Sequence, residues 1–542
     1  MPLFDPTRYT YPSRRSVVYA RRAMACTSVP LGAQVGLEIM KAGGNAVDAA
    51  VAMASAMPLL ESTSNGLGGD CFALVWIERD KKLYGLNASG VAPMALTADE
   101  VRRRGYSEVP RVGWLSALVP GAPSGWAELH RRFGTKPLSE LFAPAVAYAR
   151  EGYPVPVNVA KLWAADCKRI AKAMESDPAP YAYWWKSFMK PDGAPYRAGE
   201  LWRWEEYAQT LEELAATDCE SYYRGALMEK IVAFSRETGG FFCEDDFRGY
   251  RAEWVEPIHV DYKGYTVCEI PPNGHGITVL MALNILKGLT LPAERDSAET
   301  WHKLMESIKL AFADAKQYVA DPRHMRTKVE DMLSEDYAAR RRTLITDRAL
   351  EPKPGDPSCG GTVYLCTADG EGNMVSFIQS NYNSFGSGVA IPGTGISLHN
   401  RAANFSLDPA SDNCLAGGKK CYHTIIPGFL MRGGEAVGPF GVMGAFMQPQ
   451  GQLEVLVNTI DYHMNPQEAL DAPRVQWTGG RHIQLERAVS ADVARALAAM
   501  GHDVEIIDDS VAMGRGQIIW RTENGVLAGG TEPRCDGAIA AW

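Results

Sequence analysis

The sequence lacks several features that would assign it to a particular class of protein. None of its apolar runs reaches about 18 residues, so we expect no membrane-spanning helix. Residues 1–24 contain no apolar core of the signal-peptide type. The eleven cysteines are scattered without a Cys-x-x-Cys pair, which favours reduced thiols over a disulfide framework or a zinc site. We therefore expect a cytoplasmic protein.

The sequence also gives little indication of a nucleotide or nucleic-acid ligand. The formal net charge is −9 and the sequence pI is about 5.7, so the chain has no overall basic balance for binding phosphate backbones. A glycine-rich loop at 64–70 precedes an apolar strand, but it is neither a G-x-G-x-x-G after a strand nor a P-loop with its lysine. We interpret this loop as tight packing of backbone on the neighbouring apolar helix. No metal and no organic cofactor is predicted.

Hydrophobic periodicity predicts a mixed α+β chain with layered architecture. Residues 30–57 indicate two helices joined at Lys41–Gly44, with Asn45 as the cap of the second. Residues 95–250 are mostly helical in pattern, and a long helix is expected over 298–320. After residue 361 strands dominate, predicted at 362–368, 374–380, 395–398, 453–459, 482–485, 517–521 and 525–529.

The most informative stretch is Gly360-Gly361-Thr362, which follows a proline-rich segment and begins a strand. A five-residue turn, 369–373, leads into the return strand. If Ala368 pairs with Met374, Thr362 lies opposite Ser380, and directly opposed Cβ atoms are about 4.5–5.5 Å apart. Unless a bulge breaks this register, two hydroxyl groups meet at the start of the hairpin.

A threonine becomes a useful nucleophile when it begins a chain. Its hydroxyl needs an adjacent base, and an α-amino group with a reference pKa of about 7.7–8.0 can serve. Cleavage between Gly361 and Thr362 would free that amine. Taken alone, the stretch favours the other interpretation, an ordinary strand after a glycine turn.

Motifs distributed over nearly the whole chain, from about residue 15 to Trp542, separate these alternatives. They are GGNAVDAAVA (43–52), NGLGGDCFALV (65–75), TVYLCTADGEGNMVS (362–376), FGSGVAIPGTG (385–395), NTIDYHMNPQEALDAPR (458–474) and TEPRCDGA (531–538). With these motifs the sequence resembles the γ-glutamyltransferase family of N-terminal nucleophile hydrolases. The resemblance implies a four-layer αββα sandwich and self-cleavage before Thr362. It also implies Ser380 as the second hydroxyl, and Gly444 with Ala445 as the oxyanion hole.

Cleavage would give a large subunit, 1–361, and a small subunit, 362–542, forming one intertwined domain. The partners expected are therefore the two processed fragments and a small-molecule amide, with a homo-oligomer of the pair left open. Neither nucleic acid nor a membrane is expected as a partner.

The positions that hold a glutamyl head group in the family are changed here. Ser89 replaces the arginine that binds the α-carboxylate, and the uncharged Asn404 replaces an aspartate. Tyr382, His423 and Thr424 replace other polar residues of that subsite, and the segment between Phe405 and Tyr422 is short, which predicts an open site. Arg401 matches a Gln or Glu that lies near the head group of the substrate in transferases. One hypothesis is that Arg401 binds a carboxylate or carbonyl of a different acyl group. The alternative is a surface or structural arginine.

The sequence thus predicts an amide-bond hydrolase that works through an acyl-enzyme, on a substrate other than a standard γ-glutamyl group, such as oxamate. A γ-glutamyltransferase or glutathione hydrolase is the alternative, and an uncut, non-catalytic binding protein is a remote one. Ser187-x-x-Lys190 and the 411–413 Ser-Asp-Asn stretch match motifs of penicillin-recognising enzymes, but no Lys-Thr-Gly follows.

Overall fold

The computed structural model describes residues 15–352 and 361–542. The predicted processing segment upstream of Gly361, including Pro354, Gly355, Pro357 and Gly360, lies outside the described residues. The strands are β1 (Val18–Ala20), β2 (Ala23–Thr27), β3 (Asp70–Ile77), β4 (Lys82–Ala88), β5 (Tyr153–Pro154), β6 (Leu201–Trp202), β7 (Glu253–Val255), β8 (Ile258–Tyr262), β9 (Tyr265–Glu269), β10 (Gly361–Asp369), β11 (Met374–Tyr382), β12 (Ala390–Ile391), β13 (Ile396–Ser397), β14 (Gly428–Arg432), β15 (Glu435–Met443), β16 (Val475–Gly479), β17 (His482–Glu486), β18 (Asp503–Ile507), β19 (Arg515–Arg521), β20 (Leu527–Thr531) and β21 (Ala538–Ala541).

The helices are α1 (Pro30–Lys41), α2 (Ala46–Leu60), α3 (Ala98–Arg103), α4 (Ala122–Phe133), α5 (Leu138–Glu151), α6 (Val157–Met174), α7 (Ala182–Phe188), α8 (Glu205–Ala216), α9 (Ser221–Arg224), α10 (Ala226–Glu237), α11 (Glu244–Arg248), α12 (Ile277–Leu286), α13 (Ala298–Tyr318), α14 (Val329–Met332), α15 (Glu335–Arg342), α16 (Met447–Ile460), α17 (Pro466–Asp471) and α18 (Ala491–Ala499). In the described parts of the chain, no helix combines the length and the apolar character needed to cross a bilayer.

Two seven-stranded sheets form the centre of the molecule. The first has the strand order β21-β2-β10-β11-β3-β4-β7, and the second has the order β1-β20-β19-β15-β14-β9-β8. Their facing sides share one apolar cluster, so the sheets pack face to face. This inner layer includes Met24, Phe72, Leu74, Tyr364, Cys366 and Ile378 from the first sheet, and Cys268, Ile270, Phe429, Met443 and Ile519 from the second.

Helices cover the outer face of each sheet. The alternate residues of β10 and β11, such as Val363 and Phe377, join a cluster with α2, every residue of which is buried. The outer face of the second sheet, including Leu430 and Val442, joins a cluster with α12, α13 and α16. The order helix, sheet, sheet, helix confirms the predicted four-layer αββα sandwich.

Each sheet contains strands from both sides of the Gly361–Thr362 bond. In the first sheet β10 and β11 lie between β2 and β3, and in the second sheet β14 pairs with β9. Cutting that bond would therefore leave two chains whose strands are interleaved in both sheets, as an intertwined domain requires.

The predicted elements are mostly confirmed, with two corrections. Asn45 caps α2 through its side chain, which accepts from Val47 and Asp48. The predicted strand 453–459 is wrong, because this stretch is the C-terminal part of helix α16. The glycine loop was expected to pack its backbone on helix α2, and this is the second correction. The loop instead packs on the end of β11, where a Cβ on Gly69 would lie 2.8 Å from the carbonyl oxygen of Ser380.

Candidate active site

The two predicted hydroxyls meet at the start of the β10–β11 hairpin. The pairing of Ala368 with Met374 holds back to Val363, and a bulge then shifts the register so that Gly361 faces Tyr382. The hydroxyl contact survives the bulge, because Thr362 Oγ and Ser380 Oγ are 3.1 Å apart. The backbone N–H of Tyr382 donates to Ser380 Oγ at 2.8 Å and so fixes the second hydroxyl.

The predicted oxyanion residues lie in the turn between β15 and α16. Gly444 has φ +139° and Ala445 has φ +49°, and a Cβ on Gly444 would lie 3.1 Å from Gly514 Cα. Their backbone N–H groups donate to no acceptor in 15–352 or 361–542. The turn is tied to the hydroxyl pair by Gln448 of α16, whose Nε2 lies 3.4 Å from Thr362 Oγ. Free N–H groups at a helix N-terminus beside a hydroxyl are the components of an oxyanion hole.

A buried charged cluster, which we call the Arg401 cluster, adjoins Ser380. Asp70 begins β3 directly opposite Ser380 in the register of β11 and β3, so it is one strand further from Thr362. Tyr382 is the last residue of β11, and the remaining members come from two segments that pack on this end of the sheet. The cluster consists of Asp70, Tyr382, His399, Arg401, His423 and Thr424.

Arg401 is fully buried but only partly satisfied. One nitrogen, Nη1, donates to Thr424 Oγ1 at 2.6 Å, and the guanidinium carbon lies 4.6 Å from the centre of the Tyr382 ring. Nε is 3.9 Å from Asp70 Oδ2, beyond hydrogen-bond distance, and both Nε and Nη2 have no hydrogen-bond acceptor among the described residues. Burial lowers the pKa of Arg401 from its usual value, an effect that nearby Asp70 opposes. A buried guanidinium with two open donors is suited to a planar anion.

Both histidines of the cluster favour the neutral form. His423 Nε2 donates to Asp70 Oδ2 at 2.9 Å, while its Nδ1 accepts from the N–H of Ile425. Burial first, and then the charges of Arg401 and Lys420, hold its pKa well below 6.5. Burial likewise lowers the pKa of His399 to about 4, with Asp70 opposing the shift. The cluster therefore carries one arginine charge that faces the aspartate, with uncharged imidazoles around them.

Ser89 and Asn404 are engaged elsewhere. Ser89 follows β4 and is buried, and its Oγ donates to Asn87 Oδ1 at 2.7 Å and lies 3.2 Å from Asn273 Nδ2. Asn404 is half-buried at the end of a short 3₁₀ turn, and its amide donates to the carbonyl of Tyr422. Among the described residues, neither side chain makes a hydrogen bond to the Arg401 cluster.

Burial decides between the alternatives left open for Arg401. Arg401 is 0% exposed, so it is not a surface arginine, and Thr362 is 1% exposed. The segments that carry the two histidines are held to neighbouring loops by backbone bonds, since the N–H of His399 donates to the carbonyl of Gly68 and the N–H of His423 donates to that of Asn273. The open site stays a prediction.

Three site residues were not predicted from the sequence. Asp70 belongs to the motif at 65–75, and its position as an acid at the start of a wholly buried strand was a usable signal. His399 and Gln448 gave no comparable signal, because their contacts join segments far apart in the sequence.

One group of potential metal ligands lies away from the site. Among the described residues, His302, Glu306 and His502 are close enough to share an ion. Lys309 already places its ammonium 2.7 Å from Glu306 Oε1 and 3.4 Å from His502 Nδ1, and His302 donates to the carbonyl of Thr346. The group is therefore a hydrogen-bonded network with its own cation.

Two facing sheets between helical layers, with a hydroxyl pair at the start of a central strand, define the N-terminal nucleophile hydrolase class. The chain is 53% identical to the cephalosporin acylase from Bacillus halodurans, with a TM-score of 0.96 and coverage of 100% of this chain and 99% of that chain. It is 34% identical over 529 residues to the glutathione hydrolase-like YwrD proenzyme of Bacillus subtilis strain 168, covering 96% of this chain and 98% of the relative. It is also 34% identical over 534 residues to the oxamate amidohydrolase proenzyme of Klebsiella pneumoniae subsp. pneumoniae, with the same 96% and 98% coverage. A family model described as Gamma-glutamyltranspeptidase matches residues 32–542, and the chain belongs to that family.

Proposed function

We propose that this protein is a self-processing amidohydrolase that removes an acid-bearing acyl group from an amine. The observation that carries the proposal is the fully buried Arg401, which keeps two donor nitrogens open near Asp70, the residue opposite Ser380 in the pairing of β3 with β11. The names of the relatives agree with this choice, since both a cephalosporin acylase and an oxamate amidohydrolase cleave amides.

Processing creates the nucleophile in this proposal. In the unprocessed chain the nitrogen of Thr362 belongs to the peptide bond with Gly361 and cannot act as a base. Thr362 Oγ attacks the Gly361 carbonyl, and the C–N bond breaks as the Oγ proton passes to the departing nitrogen, which becomes the free α-amine. Water then hydrolyses the resulting ester, which releases the Gly361 carboxylate and restores the Thr362 hydroxyl. Ser380 assists by holding the Oγ in position at 3.1 Å. The fragments 1–361 and 362–542 then stay together through their interleaved strands.

Turnover follows the same route with an external amide. The α-amine of Thr362 takes the Oγ proton while Oγ attacks the carbonyl carbon. The N–H groups of Gly444 and Ala445 stabilise the oxyanion. The protonated α-amine then gives its proton to the leaving amine, and water hydrolyses the acyl-enzyme by the same proton transfers in reverse order.

The acyl specificity follows from the polar groups around Arg401. A carboxylate on the acyl group would satisfy Nε and Nη2, while the Thr424 hydroxyl holds Nη1 in place. Recognition of a glutamyl head by residues 89 and 404 is disfavoured, because Ser89 and Asn404 already bond to protein groups. Oxamate, whose carboxylate is attached directly to its amide carbonyl, has the required chemistry.

A denaturing gel and a three-substrate assay test this proposal. The active wild type should give two bands, from residues 1–361 and 362–542, and Thr362→Ala should remain a single inactive chain. Oxamate and a glutaryl amide should be hydrolysed faster than γ-glutamyl-p-nitroanilide. Activity from an uncut chain would refute the nucleophile, and faster turnover of the γ-glutamyl substrate would refute the assigned acyl class.

A further inference from the structure

Gln448 connects the predicted nucleophile to the turn that precedes α16. It is the second residue of this helix, three residues after Ala445, and its side chain is fully buried. Its Nε2 donates to Thr362 Oγ at 3.4 Å, and its Oε1 accepts from the backbone N–H of Ile426 at 3.1 Å. Because an N–H can only donate, the Ile426 contact fixes which end of the amide faces Thr362.

We propose that Gln448 is a further catalytic residue, which stabilises negative charge on Thr362 Oγ. The proposal rests on the assignment of Thr362 as the nucleophile. In this role Gln448 donates to the reacting oxygen, Thr362 Oγ. The backbone N–H groups of Gly444 and Ala445 donate to a different atom, the carbonyl oxygen of the substrate.

The donor acts whenever Oγ gains charge. As Oγ attacks, its proton passes to the α-amine and a C–O bond forms while the carbonyl π electrons move to the oxyanion. When water later attacks the ester, it gives a proton to the α-amine, the C–Oγ bond breaks with its electron pair, and the α-ammonium passes that proton to Oγ. A neutral amide N–H binds the partly charged oxygen of both transition states more strongly than it binds the hydroxyl or the ester.

The same helix offers a matched control. Gln452 lies one turn later on α16, is also buried, and donates through Nε2 to the carbonyl of Ile426 at 2.9 Å. Both glutamines therefore hold the backbone of Ile426, but only Gln448 reaches Thr362. A purely structural role in holding the segment that carries His423 and Thr424 would be shared by the two.

The first measurement is the rate of self-cleavage after cell-free synthesis, which requires no knowledge of the substrate. Gln448→Met, which keeps the length but loses the donor, should slow cleavage about 10- to 100-fold, the range for hydrogen bonds to charged groups. Gln448→Glu should slow it at least as much, since a carboxylate repels a developing alkoxide. Gln452→Met should cleave within about threefold of wild type.

The second measurement is turnover of the processed enzyme with oxamate or, if that is not cleaved, the fastest amide of the panel. We expect kcat to fall about 10- to 100-fold in Gln448→Met with KM nearly unchanged. If Gln448→Met cleaves and turns over at the wild-type rate, or if Gln452→Met loses as much, the catalytic role is refuted. Failure of the nucleophile assignment would look different, because Thr362→Ala would then keep its activity. If Gln448→Met does not fold, Gln448→Asn keeps the amide but shortens its reach and should show the same loss.

Discussion

Replacing Arg401 with glutamine should remove the preference for acid-bearing acyl groups. Loss of one partner from a buried charge pair costs about 2–5 kcal/mol. Asp70, with its Oδ2 3.9 Å from Nε, already offsets part of the arginine charge, so the lower half of this range applies. We therefore expect kcat/KM for an acidic substrate to fall about 30- to 150-fold, corresponding to about 2–3 kcal/mol.

The assay compares substrates that differ only in charge. Oxamate and oxamide have the same shape, but oxamide carries a neutral carboxamide in place of the carboxylate. Arg401→Gln should lose turnover of oxamate and leave turnover of oxamide within about threefold of wild type. A threefold change is less than the tenfold that corresponds to about 1.4 kcal/mol. Arg401→Lys should be intermediate, because an ammonium keeps the charge but lacks the planar fork. Thr424→Val, which removes the hydrogen bond that Arg401 Nη1 donates at 2.6 Å, should lower kcat/KM for oxamate selectively. Equal losses on both substrates would show that Arg401 only supports the fold.

Two further predictions concern the oxyanion turn and the buried imidazole. Gly444→Ala places a Cβ 3.1 Å from Gly514 Cα at a residue with φ +139°, so kcat should fall by at least about 10-fold. The control is Gly434→Ala, where φ is +83° and the Cβ would enter open space, and it should leave kcat unchanged. Equal kinetics for the two variants would contradict the oxyanion assignment. His399 has a folded-state pKa of about 4 against 6.5, so the unfolded chain binds more protons in this window and stability should fall as pH decreases from 6.5 to about 4. In uncut Thr362→Ala protein, His399→Asn should remove up to about 3 kcal/mol of this pH dependence in urea titrations, and an unchanged slope would refute the assigned shift.

The hairpin at Thr362 was predictable because its register depends on local features. A five-residue turn and period-two alternation set the pairing of 363–368, and these are properties of the sequence itself. The bulge near Gly361 was not predictable, yet it preserves the contact between the two hydroxyls. The assignment of 453–459 to a strand failed because a short apolar run has the same pattern in a buried helix and in a strand.

The Arg401 cluster was only partly predictable, because it is assembled from segments that are distant in the sequence. Arg401, His423 and Thr424 were identified as departures from a family pattern, and the structure brings them together. Asp70 joins them because β3 lies next to β11, a neighbour relation that depends on the topology of the whole sheet. No local pattern encodes which strand lies beside another, so the counter-charge of Arg401 could not be derived from the sequence.

The position of the positive charge has consequences for what the site can bind. The resemblance to γ-glutamyltransferases implies an arginine at the place of Ser89, beyond the end of β4, whereas the buried arginine of this chain is Arg401, in the segment that packs beside Ser380. Ser89 has instead joined Asn87 and Asn273 in a buried network in which its hydroxyl is satisfied. Restoring Ser89→Arg alone would therefore insert a second buried cation and break that network, at a cost of several kcal/mol. Conversion to glutamyl recognition thus requires removing Arg401 as well, since one aspartate, Asp70, cannot compensate two buried guanidinium groups.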